Sequence, residues 1–406
     1  MNSLKTYLST VLVSSIIWAQ PFAGGPRVTT AILMLLGLFV LAKQLFPITD
    51  TRLQKFIILL ALLWIPALLS LIGSYDHQAS LKLIIALPFF IPFAAGLLYL
   101  VDNHVDKKLL LNILLAVCLF WIADAFIQLI IGHDLFGIPP RDGVRIVGPF
   151  AYHLRLSLFL AITLPLILSK LESFKWQWLV GYLTFVVFII MLSGVRTDLL
   201  TALIAIGLYI IIKKRVKLTL MILPLVFIGG ILASHYSDIA ESKLKTFSGI
   251  PHGYSQWNQA SSYRLDVWLT AWNMYLAHPI IGVGTQAFTH AYDEYKTPDN
   301  YFNQKTNPIS HAHHPMISIA AETGTIGVIG LLTFIWLIYQ WGAKSVGKNM
   351  WAIPWLQILI LIFFPIQSMP LLFSFWWFPV VAMTILYYLA EIEAKQTTTK
   401  AKAKCS

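Results

Sequence analysis

Ser310–Gly330 reads SHAHHPMISIAAETGTIGVIG and joins a histidine-rich segment to an apolar helix. His311, His313 and His314 stand directly before Pro315, and the apolar run after them carries a single carboxylate, Glu322. Imidazoles and a carboxylate at the end of an apolar helix predict polar chemistry at the edge of a membrane. We therefore take this stretch as the reference point for the rest of the chain.

The composition indicates a membrane protein. Of the 406 residues, 58% are hydrophobic and only 12% are charged, which is too little polar surface to cover a water-soluble domain of this length. Backbone groups in lipid must be satisfied within their own segment, so long apolar runs predict helices. The two cysteines, Cys118 and Cys405, are expected at different depths, so no disulfide is predicted.

The apolar runs predict an all-α, polytopic membrane protein with about twelve transmembrane helices. We expect helices 1–9 within residues 1–234 and a large hydrophilic loop that contains helices over residues 235–314. Transmembrane helices 10–12 should follow within residues 315–392, and residues 393–406 form a basic cytoplasmic tail. A loop of this length is too long to be an idle connection.

The basic residues predict the orientation of the chain. If both termini are cytoplasmic, eighteen Lys and Arg residues fall inside and only six lie on the short outer connections. The net charge of +11 is therefore better explained by membrane topology and anionic lipid than by nucleic acid, which we do not expect as a partner.

Arginine and lysine are distributed differently between the two sides. In this topology sixteen of 21 lysines lie inside, whereas six of eight arginines and ten of eleven histidines lie outside. The outer arginines are Arg27, Arg141, Arg145, Arg155, Arg196 and Arg264. A planar guanidinium binds phosphate through two hydrogen bonds at once, so this distribution predicts a diphosphate site on the outer face. A solvated loop or a simple ion pair remains the alternative for any one of them.

The long hydrophilic loop contains a predicted amphipathic helix, SSYRLDVWLTAWNMYLAHP, over residues 261–279. Trp268 lies on its apolar face, which can rest on the membrane or on the helix bundle. The segment IIGVGTQAF follows, and its Gly282 and Gly284 predict a tight turn because a third glycine at dinucleotide-loop spacing is absent.

The histidine cluster favours acid–base chemistry over metal binding. H-x-H-H spacing is a poor zinc cage, because a helical zinc pair needs i, i+4 spacing and alternate residues of an extended chain diverge. A single imidazole that titrates near neutral pH, His313, is the better candidate as a general base. Histidines that merely decorate an interface are the other interpretation. The outer segments contain no D-x-D pair, so we predict no metal and no cofactor.

Three motifs resemble a known family. They are S-G-V-R-T at residues 193–197, R-x-x-x-W-x-x-x-W followed by H-P-x-x-G-V-G from residue 264, and S-H-A-H followed by A-E-x-G from residue 310. Together they resemble the O-antigen ligase and polymerase superfamily, and most closely the lipopolysaccharide O-antigen ligases. That family commonly shows H-x-H-N, and His314 stands here at the asparagine position.

The resemblance implies a GT-C-like glycosyltransferase of the bacterial inner membrane, with its active site facing the periplasm. Such an enzyme moves O-antigen from undecaprenyl diphosphate to a sugar hydroxyl of lipid A-core, with inversion and without a metal or nucleotide sugar. His313, Arg264 and Arg196 would carry the catalysis. The residues expected to bind the substrates are Arg141, Arg145, Arg155, His311, His314, Glu322 and Trp268.

Two alternatives remain open at the level of the sequence. A polymerase, or a ligase that glycosylates protein, would share the same motifs. A transporter could use Asp124, Glu322 and the arginines as a path, but it predicts inverted repeats, which the sequence does not contain.

Overall fold

The computed structural model shows an all-helical chain and describes residues 2–151, 153–214, 253–304, 309–364 and 372–405. Within these ranges the α-helices are α1 Asn2–Trp18, α2 Gly25–Ala42, α3 Thr51–Ser70, α4 His77–Ala86, α5 Phe90–Asn103, α6 Lys107–Ile131, α7 Leu156–Leu171, α8 Trp176–Ser193, α9 Arg196–Lys213, α10 Gly253–Ala260, α11 Arg264–Ala277, α12 Phe288–Tyr295, α13 Pro315–Val346, α14 Pro354–Phe363 and α15 Phe378–Cys405. The described residues form no β-strand, and one isolated antiparallel bridge joins Arg141 to Arg145.

Six helical segments of the described chain are long and apolar enough to cross a membrane. They are Gly25–Ala42, Thr51–Gly73, His77–Asn103, Lys107–Ile131, Trp176–Ser193 and Pro315–Ala352. Leu156–Leu171 and Pro354–Phe363 are shorter apolar helices. The polytopic, all-helical class is thereby confirmed, while the number of twelve spans stays a prediction. The span expected at residues 217–234 lies outside the described residues.

Helix α7 lies at the centre of the bundle. All residues from Leu156 to Leu168 are buried, so this helix has no lipid-facing side in its first three turns. It packs against α6, α8, α9 and α14. Its first residue therefore opens into the middle of one end of the bundle, which places the preceding residue, Arg155, at the centre of that end.

Close helix crossings depend on glycine. A Cβ atom on Gly37 of α2 would lie 1.6 Å from the carbonyl oxygen of Pro92 in α5. A Cβ on Gly330 of α13 would lie 2.3 Å from the carbonyl oxygen of Leu62 in α3. Small residues at such crossings let helix backbones touch, which is how membrane helices gain packing energy without a hydrophobic driving force.

Residues 253–304 and 309–314, here called the polar segment, form a small helical unit with its own core. Val267, Ala271 and Met274 of α11 pack with Phe288 and other residues of α12, and Ala321 of α13 joins the same cluster. The predicted helix at 261–279 is thus present as α11. Its apolar side contacts the start of a membrane-spanning helix.

Helix α13 is broken at Gly324, where the backbone has φ 61° and ψ −160°. This conformation is accessible essentially only to glycine. The segment between α11 and α12 crosses at this break, and a Cβ on Gly324 would lie 2.4 Å from the carbonyl carbon of Ile280. Gly282, with φ 70°, approaches the backbone of Glu322 equally closely.

Four backbone hydrogen bonds join the two crossing segments, and we call this arrangement the backbone clasp of residues 279–284 and 321–326. The amides of Val283 and Gly284 donate to the carbonyls of Ala321 and Glu322 at 2.9 and 3.0 Å. On the other side of the break, Thr325 and Ile326 donate to Pro279 and Ile280 at 2.8 and 3.3 Å. The predicted tight turn at Gly282 and Gly284 is therefore part of a two-segment crossing.

We expect Gly324→Ala to destabilise the protein strongly. The backbone conformation of Gly324, essentially restricted to glycine, costs an alanine about 1–3 kcal/mol, and overpacking against Ile280 adds about 1–3 kcal/mol. Thermal unfolding of the purified protein in detergent measures the loss. Gly181→Ala in α8 is the matched control, because its Cβ would meet nothing within 4 Å. An unchanged unfolding temperature for Gly324→Ala would contradict the role of the clasp.

Candidate active site

A cavity of about 650 Å³ opens at one end of the bundle. Its wall comes from five separate parts of the chain: the α6–α7 loop with the start of α7, the α8–α9 turn, the α10–α11 turn, residues 310–313 and residues 374–376. Six of the ten site residues predicted from the sequence line it: Arg145, Arg155, Arg196, Arg264, His311 and His313. The cavity therefore collects four guanidinium groups and two imidazoles.

Three helices begin at this cavity, each next to an arginine. Arg155 is the N-cap residue of α7, and Arg196 and Arg264 are the first residues of α9 and α11. The N-terminus of a helix presents free backbone N–H groups and a partial positive charge. Three such ends beside four guanidinium groups make a strongly anion-attracting environment.

Local backbone turns bring the first residues of α9 and α11 together. Gly194 ends α8 in the left-handed conformation with φ 68°, and α9 begins two residues later. Tyr263 is also left-handed, with φ 63°, and its ring stacks on Tyr301 with the centroids 3.4 Å apart. The Arg196 guanidinium donates a hydrogen bond to the carbonyl of Ala260 at 2.9 Å, which ties the α8–α9 turn to the α10–α11 turn.

Asp198 is the acidic neighbour of this arginine group. Its carboxylate accepts a hydrogen bond from Ser157 in α7 and faces Arg264. Burial lowers the pKa of Arg264, and the positive charge of Arg196 lowers it further against the opposing effect of Asp198. The Arg264 guanidinium forms no direct hydrogen bond or ion pair with the residues that the structure describes.

The α6–α7 loop that carries Arg145 is held by buried polar side chains of α6. Gln128 accepts hydrogen bonds from the amides of Val147 and Gly148, both at 2.9 Å. Asp124 accepts one from the amide of Leu135 at 2.8 Å. The intramembrane carboxylate that the sequence marks as a functional candidate is thus an anchor for the loop.

Arg155 is held against an aromatic ring. Its guanidinium carbon lies 3.8 Å from the ring centroid of Trp376, which is a cation–π contact. The carbonyl of Trp376 accepts a hydrogen bond from the side chain of Gln20 at 2.9 Å. Ser374, two residues earlier, lines the same cavity, and its hydroxyl is buried without a hydrogen-bond partner in the described structure.

Ser374 and Trp376 are not among the site residues predicted from the sequence. Both lie in LFSFWW, residues 372–377, where the apolar residues predict the boundary of two membrane spans. The signal available was the density of tryptophan next to a serine, which is typical of an interface and not of a lipid-facing helix.

His313 reaches the cavity through a constrained backbone. It has φ 52°, a left-handed conformation that is uncommon for a residue with a side chain and is concentrated at functional sites. Both backbone groups of the preceding residue, Ala312, are hydrogen-bonded. Its N–H donates to the Ser318 hydroxyl at 3.3 Å, and its carbonyl accepts from the indole of Trp268 at 2.9 Å. The rings of His311 and His313 lie 4.1 Å apart.

The pKa of His313 is lowered to about 3, first because of burial and then because of the nearby charges of His311 and Arg264. The sequence-based expectation of an imidazole that titrates near neutral pH is therefore wrong. His313 is neutral across the physiological range and keeps a free electron pair on one nitrogen. It can accept a proton, but it is a weak base. Negative charge in the cavity would make it a stronger one.

Four predicted site residues do not line the cavity, and three of them, Trp268, His314 and Glu322, support it. Trp268 holds Ala312, and His314 is the N-cap of α13, where its Nδ1 accepts from the amide of Ile317 at 3.4 Å. Glu322 is buried at the backbone clasp, with the amides of Gln286 and Phe288 facing its carboxylate. Arg141 lies in the α6–α7 loop, 3.8 Å from the carboxylate of Asp142.

In the described ranges, no three His, Cys, Asp or Glu side chains lie close enough together to hold a metal ion. The polar groups that line the cavity are mainly cationic donors and imidazoles, which suit an anion.

Removal of a nearby positive charge should raise the pKa of His313. We expect this for Arg264→Gln, and no change for Arg141→Gln, which lies outside the cavity. NMR titration of histidine-labelled protein measures both, with the His313 signal assigned by its loss in His313→Gln. An unchanged pKa in Arg264→Gln would show that burial alone sets it.

The comparison with known families bears on the same residues. A family model described as O-antigen ligase matches residues 181–332, from α8 into α13. The match includes Arg196, Arg264, His311 and His313, and it excludes Arg145 and Arg155. No curated protein sequence matches the chain. The match supports the resemblance inferred from the motifs, and residues 181–332 are similar to the O-antigen ligase family.

Proposed function

We propose that this protein transfers O-antigen glycan from undecaprenyl diphosphate to a sugar hydroxyl of lipid A-core at the periplasmic face of the inner membrane. The observation that carries the proposal is the meeting of four arginines, three helix N-termini and the neutral His313 in one cavity. This set combines strong anion binding with a free proton acceptor.

The guanidinium groups suit the diphosphate of the donor. Negative charge builds up on the leaving diphosphate as its bond to the anomeric carbon breaks, and fixed positive charges stabilise that state. Arg196 and Arg264 are held at adjoining helix starts, and Arg155 is held by Trp376. Little reorganisation is then needed at the moment of reaction.

His313 suits the role of general base. In the proposed step, the acceptor hydroxyl oxygen attacks the anomeric carbon, its proton passes to His313, and the diphosphate leaves with the bonding electrons. A single displacement of this kind inverts the anomeric centre. The already activated leaving group needs no carboxylic acid to protonate it, in contrast to a glycosidase.

The proposal is tested by transfer in vitro with purified protein, lipid-linked O-antigen and rough lipopolysaccharide in the presence of EDTA. Loss of a general base typically costs about 10²–10⁴-fold in rate, and we expect that for His313→Ala. Arg264→Lys keeps the charge but loses the bidentate contact, so we expect a loss of about 10- to 100-fold. Arg141→Gln is the matched control and should stay within about threefold of the wild type.

The products and the accumulated substrates separate the alternatives. Full activity of a folded His313→Ala variant would contradict the assignment of the base. Extension of one lipid-linked unit by another, without transfer to lipopolysaccharide, would indicate a polymerase. Loss of activity in EDTA that Mg²⁺ restores would contradict the metal-independent mechanism.

The pH dependence should differ between the free enzyme and the complex. Protonation removes the electron pair of His313, so activity falls as the pH falls through its pKa. The acid limb of kcat/KM reports the free enzyme and should lie well below pH 6.5, since the pKa is about 3. Bound diphosphate favours the imidazolium, so the acid limb of kcat should lie at higher pH. Coincident limbs would argue against a diphosphate beside His313.

A further inference from the structure

We infer that α11 is an interfacial helix and that an exposed apolar patch, formed by its Trp272 and Leu276 and by Ile280 just after its end, lies in the outer leaflet of the lipid bilayer. The three side chains are 52%, 59% and 66% exposed, and Leu269 extends the same face by one turn. Arg264 and Asp266, the only charged residues of α11, stand at the opposite end of the helix. The patch is therefore apolar and uncharged.

The position of the patch relative to the membrane follows from α13. The twenty residues from Thr325 to Lys344 rise about 30 Å as a helix, which equals the thickness of the hydrocarbon core. If Lys344 marks one boundary, the break at Gly324 marks the other. Exposed apolar side chains between them, including Ile329 and Trp336, give the lipid-facing surface of this span.

Helix α3 gives the same boundary independently. It runs antiparallel to α13, and the Lys55 ammonium lies over the ring of Trp341 near their shared basic end. Twenty residues from Arg52 end at Leu71, again about 30 Å away. Gly73 lies beside Ile281, in the segment of the backbone clasp. Two spans thus place the clasp at the bilayer boundary within about one helical turn.

Hydrogen bonds connect the patch directly to the backbone clasp at the bilayer boundary. Ile280 accepts a backbone hydrogen bond from Ile326, and the Tyr275 hydroxyl pairs with that of Thr325 at 2.9 Å. The Trp272 ring contacts Tyr275, with their centroids 5.2 Å apart. Tryptophan and tyrosine prefer the membrane–water interface because each has an apolar ring and a polar group. A lipid surface is therefore the partner that fits this face.

The consequence for the site rests on the proposed function. Helix α11 starts at Arg264 in the cavity and ends at the patch, and its length along the helix axis is about 20 Å. Contact of the patch with lipid would hold the cavity at a fixed height above the bilayer, where the diphosphate of a lipid-linked donor lies.

Site-directed spin labelling tests the depth directly and without reference to catalysis. Leu276→Cys and Ile280→Cys are labelled in a Cys405→Ser background, in which the remaining Cys118 is buried. The full chain is reconstituted into phosphatidylethanolamine and phosphatidylglycerol vesicles. Ile329→Cys is the lipid-exposed control, and Asp293→Cys, at a side chain 84% exposed on α12, is the water-exposed control.

Labels at positions 276 and 280 should be more accessible to oxygen than to a water-soluble nickel complex. Their depth in the bilayer should be smaller than that of the label at position 329. Accessibility equal to that of position 293 would overturn the inference. Spin–spin broadening at 276 that disappears on dilution with unlabelled protein would also overturn it, since a second copy would then cover the patch. Because two positions are read, one misfolded variant does not remove the test, and the depth stays measurable if the protein proves inactive as a ligase.

Discussion

The backbone clasp of residues 279–284 and 321–326 is the constraint on which the rest of the candidate site depends. It joins the polar segment to a membrane-spanning helix through main-chain hydrogen bonds on both sides of the break at Gly324. Arg264 is one rigid helix away from the clasp along α11, and His313 stands one short helical stretch before it along α13. The relative position of guanidinium and imidazole is thus fixed by two helices that share one anchor.

The concentration of positive groups around the cavity has an electrostatic cost. Four arginines and three helix N-termini repel one another, and Asp198 and the Trp376 ring offset only part of this repulsion. Such a site is stable because the surrounding helices hold it, and it gains most when an anion arrives. The same positive field, together with burial, keeps His313 neutral. Anion binding and the availability of the base are therefore consequences of a single arrangement.

The sequence predicted the residue types of the site better than their roles. Apolar run lengths were enough for the helical class, and the separation of arginine from lysine was enough to select Arg145, Arg155, Arg196 and Arg264. The pKa of His313 was beyond reach, because it depends on burial by segments far away in the chain. Glu322 shows the same limit: an intramembrane carboxylate indicates importance, but only the fold shows that it faces the amides at the start of α12.

The part of the cavity outside residues 181–332 explains why the whole bundle is needed. Arg145 and Arg155 come from the α6–α7 loop, and Trp376 comes from the chain just before α15. These groups reach the family-matched residues only because α7 is buried at the centre of the bundle and begins at the cavity floor. Their contacts are distant in sequence, so the guanidinium cluster can form only after α6, α7 and α9 have packed. Charge repulsion within the cluster is then opposed by the apolar packing of the entire membrane domain, which no excised fragment of residues 181–332 would supply.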